Sequence, residues 1–138
     1  MIVYTSPFSS IEDEPGRGLL TVTWFKECIS LDEEGVISEL TRILDHVKEY
    51  SIVSIIVDSR DYPFRENDRL QHWINHIYMP QIMDRGVQRY AIIVHEKVKS
   101  ILEELPDLTD EDPDRMMVEY FTDAEQARQW ITSDPSHP

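Results

Sequence analysis

Ser51-Ile52-Val53-Ser54-Ile55-Ile56-Val57-Asp58-Ser59-Arg60-Asp61 is the stretch on which the fold turns. From Ile52 to Val57 only Ser54 is polar, which is the composition of a strand covered on both faces, as at the centre of an α/β sheet. Six residues suit a strand better than a helix, and β-branched side chains favour the pleated surface. The charged residues that follow then lie at the carboxyl end of the strand, where open α/β sheets bind their ligands.

On the amino-terminal side, Leu19 to Lys26 alternates in the manner of a strand, with Leu20, Val22 and Trp24 on one face. Ile2 to Thr5 reads as a shorter strand. Between them, Ile11-Glu12-Asp13-Glu14 reads as a solvated approach to a turn, and Gly16 to Gly18 as the turn of an antiparallel hairpin. Ser30-Leu31-Asp32-Glu33 matches a capping box. The helix it starts carries Val36, Ile37, Leu40, Ile43, Leu44 and Val47 at helical spacing, with Glu33, Glu34, Glu39, Arg42 and Asp45 among the residues assigned to the wet side.

On the carboxyl-terminal side, Pro63 separates the central strand from a second helix over about Glu66 to Arg85. Leu70, Trp73, Ile74, Ile77 and Gln81 form its apolar arc, and Gly86 is its left-handed cap. Pro80, which has no amide donor, is expected to kink or split this helix near Met79. Val87 to Val94 is the next strand. Val98, Ile101, Leu102 and Leu105 mark a short helix stopped by Pro106, and Asp107 to Asp114 reads as a solvated acidic loop. Met116 to Phe121 is the last strand. Thr122-Asp123-Ala124-Glu125 is a second capping box, before a helix that buries Ala127, Trp130 and Ile131; Ser133 to Pro138 is a frayed tail. The expectation is an α/β domain over residues 1–138 with a mixed five-stranded sheet in the order β-β-α-β-α-β-α-β-α, the last three strands parallel.

Composition narrows the function classes. The chain has 138 residues and a hydrophobic fraction of 41%, enough for one domain with its own core. A formal charge of −14 repels nucleic acid and anionic lipid. The single cysteine, Cys28, excludes an intrachain disulfide and a cysteine-based zinc site. No stretch approaches a membrane span and Met1 to Thr5 has no leader pattern, so no membrane insertion and a cytoplasmic location are expected.

The order of elements, with the Ile55-Ile56-Val57-Asp58 strand end, Trp73, Pro80 and Gly86, Ala91-Ile92-Ile93-Val94, and Phe121-Thr122-Asp123-Ala124 leading to Ala127 and Trp130, resembles the STAS superfamily, and within it the stand-alone SpoIIAA-like domains. The likeness runs from about Leu19 to Ile131. It implies a regulatory or protein-interaction module without catalysis, docking a partner near the end of the central strand, here Asp58, Ser59, Arg60, Asp61 and Tyr62. Antagonists of this family carry Asp-Ser-Ser-Gly at that place, with the second serine as kinase target. Asp58 and Ser59 match the start, but Arg60 and Asp61 follow, so phosphoregulation at the usual serine is not expected.

Other residues invite chemistry. The strand ends bring His95, Glu96 and Asp123 toward Asp58 and Asp61, a candidate crevice for a cation or for acid and base work, set against the plainer reading of caps and solvated charges. His72 and His76 have the i, i+4 spacing of metal ligands, but both lie off the apolar arc, with neither the glutamate of a zincin motif nor a third ligand, so no metal is assigned. Trp24, Trp73 and Trp130 are candidates for a shared aromatic pocket, the alternative being core packing. Ser59 lacks the Gly-x-Ser-x-Gly elbow of a nucleophile. No cofactor and no catalytic residue is expected. The second functional reading is a carrier of a small apolar ligand or lipid, because the related lipid-transfer fold forms a cavity between sheet and helices. The partner is then a protein or a small apolar ligand, and a homodimer through the free amino-terminal edge is an open alternative.

Overall fold

A computed structural model describes residues 1–14, 16–62, 68–103 and 116–132. Its centre is strand β4, Ser54–Asp58, hydrogen-bonded in parallel register to β3 (Leu19–Trp24) on one side and β5 (Arg89–Ile93) on the other. Ile55 and Val57 enter one apolar cluster and Ile56 another, so both faces of the strand are covered. The alternation follows from the period of two in a strand: one face cannot be buried without pointing every second residue the other way.

The sheet has six strands rather than five, in the spatial order β1-β2-β3-β4-β5-β6. The additional strand is β2, Ser9–Glu14, which runs antiparallel between β1 (Ile2–Thr5) and β3. It contains the residues that read as a turn approach. Ser-Ser-Ile-Glu-Asp-Glu has almost no strand propensity, yet Ser9, Ile11 and Asp13 alternate into the interior. Six paired residues along β3 override the local preference. The glycine turn is where the sequence places it, with Gly16 and Gly18 at positive φ, but it joins β2 to β3. Gly18 also accepts from the amides of Val53 (2.8 Å) and Ser54 (3.1 Å) through its carbonyl, at the entrance to β4. A Cβ there would lie 3.0 Å from the Ser51 carbonyl oxygen, so the approach requires glycine.

Helix α1 (Glu33–Glu49) and the second helical unit pack on the face of Ile55 and Val57. That is the side on which right-handed crossovers stepping in one direction place their helices. The carboxyl-terminal helix α5 (Ala124–Thr132) covers the opposite face through Ala127 and Ile131, against Leu19, Ile56, Ala91 and Ile93. Both capping boxes are corrected by one residue or more. Asp32, not Ser30, caps α1 by accepting from the Gly35 amide at 2.8 Å, because Lys26–Ser30 is already a turn of 3₁₀ helix. Asp123, not Thr122, caps α5 through the Glu125 amide at 2.8 Å.

The second helical unit is split as Pro80 requires, and the form of the split is informative. It comprises α2 (Asp68–Trp73), a π turn (Ile74–Tyr78) and α3 (Met79–Asp84), with Gly86 at a positive φ beyond its end. The wider turn inserts a residue and moves the buried face on by one position. Leu70, Tyr78 and Ile82 are therefore buried, while Ile77 is 44% exposed and Gln81 is outside the core. Helix α4 (Glu96–Glu103) keeps Val98 half-buried but leaves Ile101 exposed. Strand β6, Met117–Phe121, completes the parallel part beside β5. No helix among the described residues is long and apolar enough to cross a membrane. Leu105, the acidic stretch from Asp107 to Asp114 and the tail from Ser133 lie outside the described residues.

Glu39, which the helical pattern assigns to the wet side, is buried. It accepts hydrogen bonds from the Tyr4 hydroxyl at 2.8 Å and the Ser6 hydroxyl at 2.6 Å, tying the edge strand to α1. Arg42 closes the group by lying 5.5 Å from the centre of the Tyr4 ring. Glu39→Ala strands two hydroxyls and is expected to remove about 2 kcal/mol of stability, with amide exchange rising first in β1. Glu39→Gln keeps an acceptor and is expected to lose less; denaturant titration and hydrogen exchange of the two variants check both statements.

Candidate functional site

The carboxyl end of β4 runs into a braced turn. Asp58 holds Arg60 in a two-pronged pair, accepting from the guanidinium at 3.0 Å (Nε to Oδ1) and 2.6 Å (Nη2 to Oδ2), and from the Arg60 amide at 3.2 Å. The Ser59 amide donates to the Ile93 carbonyl at 2.8 Å and the Tyr62 amide to the Ser59 carbonyl at 3.1 Å. Buried Cys28 directs its thiol at the Asp61 carbonyl, 3.7 Å away, and the Tyr62 ring rests on Trp24 with ring centres 5.1 Å apart. Asp58, Ser59, Arg60, Asp61 and Tyr62 thus form one hydrogen-bonded ledge at the end of β4.

Of the candidate crevice, His95, Glu96 and Asp123 are all exposed. Asp123 is engaged as the cap of α5, and Asp58 already has a cation in Arg60. Among the described residues no group of three or more His, Cys, Asp or Glu side chains is arranged to hold a metal ion. His72 and His76 stand together on the wet side of the second helical unit, ring centres 4.2 Å apart.

Burial pushes the Asp58 carboxyl up, but the hydrogen bonds and charge of Arg60 together outweigh it, aided by His95, and hold the group below its ordinary value of 3.8. Stability from this pair is complete above the unfolded value and is lost as pH falls below it, through the folded value. In Arg60→Leu burial is opposed only by the smaller effect of His95, so the Asp58 midpoint is expected to rise above 3.8. Carbon-detected carboxyl titration of the two proteins measures the shift, and an unchanged midpoint contradicts the pairing.

Behind the ledge lies a cavity of ≈230 Å³ between the sheet and the helices. Its apolar wall includes Leu40 of α1, Val57 of β4, Ile92 of β5 and Val118 of β6, with Trp24 contributing an aromatic surface. Ser59 and Tyr62 belong to the ledge and the cavity at once. The π turn supplies Ile74, Asn75 and Tyr78, so the irregular turn forced ahead of Pro80 is also what points these side chains inward. The Tyr78 and Tyr90 hydroxyls meet at 3.1 Å, both side chains being buried. At the wall on α2, the Gln71 side-chain Nε2 donates to Oδ1 of Asn75 at 3.1 Å. A second pocket of ≈250 Å³ opens at the amino ends of the strands. Its two arginines are committed, Arg17 to Glu14, and Arg89 to the Trp130 carbonyl and ring, so the carboxyl-end cavity is the better candidate.

The three tryptophans do not share a pocket. Trp24 and Trp73 pack on the α1 face, whereas Trp130 packs against Phe121 on the α5 face. The cavity residues that sequence reading passed over are the tyrosines, Gln71 and Asn75. A straight helix through 66–85 turns Ile77 inward and Tyr78 aside, and only the position of Pro80 hints at the shift.

Burial is the main cause of the raised Tyr90 pKa, about 12, with the neighbouring Tyr120 adding to it and the bond to Tyr78 opposing; Tyr78 is pushed well up, again chiefly by burial. Unfolded tyrosines lose their protons near 10, so between there and 12 the unfolded state binds fewer protons and stability falls with rising pH. The expected loss is about 2 to 3 kcal/mol from Tyr90 alone across that window. Denaturant titrations at pH 9 and about pH 12 test it, with tyrosinate absorbance reporting whether ionisation accompanies unfolding.

Comparison of the chain with known families, curated proteins and solved structures gives no match to any family model, curated protein or solved structure.

Proposed function

We propose that this protein is a non-catalytic binding domain whose ligand is a small, largely apolar molecule held between the sheet and the helices. The observation that carries the reading is the cavity of ≈230 Å³, walled by aliphatic and aromatic side chains and placed at the carboxyl ends of the parallel strands. Ligand sites in open α/β sheets favour that end, and small-molecule pockets are mostly apolar with a few fixed polar groups.

The second reading is a protein-interaction module of STAS-like type, docking through Asp58 to Tyr62. What favours it is the hydrogen bonding within that ledge, which holds a surface in place for a partner. The two readings meet at Ser59 and Tyr62, which belong to both surfaces. A ligand behind the ledge is then placed to alter what the ledge presents.

Ile92→Trp fills the cavity from the sheet side and leaves the ledge intact. The gentle release of the native protein in a mass spectrometer is expected to show a retained small molecule, and the variant is expected to lose it while unfolding at a higher temperature. A native protein free of any adduct, together with a variant no more stable, favours the docking module instead.

A further inference from the structure

We infer that the occupant of the cavity is an uncharged molecule built on a single aromatic ring and carrying one hydrogen-bond acceptor, a carbonyl oxygen being the simplest, which the Tyr78–Tyr90 hydroxyl pair receives. The inference rests on the small-molecule reading above and narrows it by size, charge and polarity. On size, a dry cavity of about 150 Å³ accepts benzene. The ≈230 Å³ here leaves room for a ring and a short substituent, below the roughly 300 to 1,000 Å³ of sites for larger ligands.

On charge, the described residues that line the cavity include no Asp, Glu, Lys, Arg or His, and Tyr78 and Tyr90 keep their protons. An ion held among them meets no counter-charge from the described lining and loses part of its hydration, so a neutral ligand is favoured. On polarity, Tyr78 and Tyr90 have two hydroxyl protons and one bond between them. The second proton is buried with them and takes an acceptor from whatever fills the space. On shape, the tilted pair of Trp24 and Tyr62 offers faces and edges to a further ring, the arrangement aromatic groups prefer.

The test uses the full chain and four probes followed by tryptophan fluorescence and proton NMR: acetophenone, ethylbenzene, benzoate and 1-octanol. Acetophenone is expected to bind about tenfold more tightly than ethylbenzene, the difference that one buried hydrogen bond makes, and benzoate not to bind. In Tyr78→Phe/Tyr90→Phe the preference for acetophenone over ethylbenzene is expected to vanish. Should that variant fail to fold, the carbonyl stretch of acetophenone bound to the native protein gives the same information, lowered if a hydroxyl donates to it. Equal binding of ethylbenzene and acetophenone, or an unshifted stretch, overturns the inference and leaves the small-molecule reading standing. So does binding of octanol with neither aromatic probe. Failure of all three neutral probes, with no stabilisation by Ile92→Trp, removes the inference and the reading beneath it.

Discussion

Strand β4 has no face turned to water, and the positions of the other elements answer to that constraint. A strand flanked on both edges and buried on both faces exports its polar groups to its ends. At the entrance, the Gly18 carbonyl takes two amides in a contact that a side chain would obstruct. At the exit, Asp58 is the first residue able to hold charge, and it does so by gripping Arg60 two residues on. The ledge is a consequence of how the strand must stop.

The same covering of both faces separates two cores of unequal character. On the α5 face the sheet meets one helix closely, through small and branched side chains such as Ala91 and Ala127. On the other face lie α1 and the second helical unit, and the latter carries Pro80. A proline in a helix removes a donor and crowds the carbonyl one turn back, and the π turn from Ile74 to Tyr78 is the local solution. The wider turn brings Tyr78 onto Tyr90 and leaves room beside them. The cavity, the tyrosine pair and the helix break have one origin.

The Asp58–Arg60 pair bears on the resemblance to SpoIIAA-like domains. In place of the kinase-target serine that the resemblance would put at residue 60, this chain carries a guanidinium that neutralises the strand-end aspartate. A switch that worked by adding negative charge there has no acceptor at residue 60. Occupancy of the space behind the ledge offers a different way of changing the same surface, since Ser59 and Tyr62 line it.

What the sequence by itself determined is what short-range patterning can encode. The buried central strand, the parallel strands after it, the helix of Val36 to Val47, the split near Met79 and the Gly86 cap each follow from a local period or from the backbone chemistry of one residue type. The strand-end ledge was legible for the same reason, because an abrupt change from apolar to charged residues marks where a buried strand surfaces. Strand β2, the burial of Glu39, the inward Tyr78 and the opposed faces of Trp24 and Trp130 were decided by tertiary structure alone. Strand β2 depends on β3 and the Glu39 carboxylate on Tyr4 and Ser6, partners distant in the chain, while the inward Tyr78 depends on the π turn beside Pro80 together with Tyr90. Local sequence states preferences worth a fraction of a kcal/mol to about 1 kcal/mol per residue, and distant contacts that pair backbone groups or satisfy buried oxygens outweigh them.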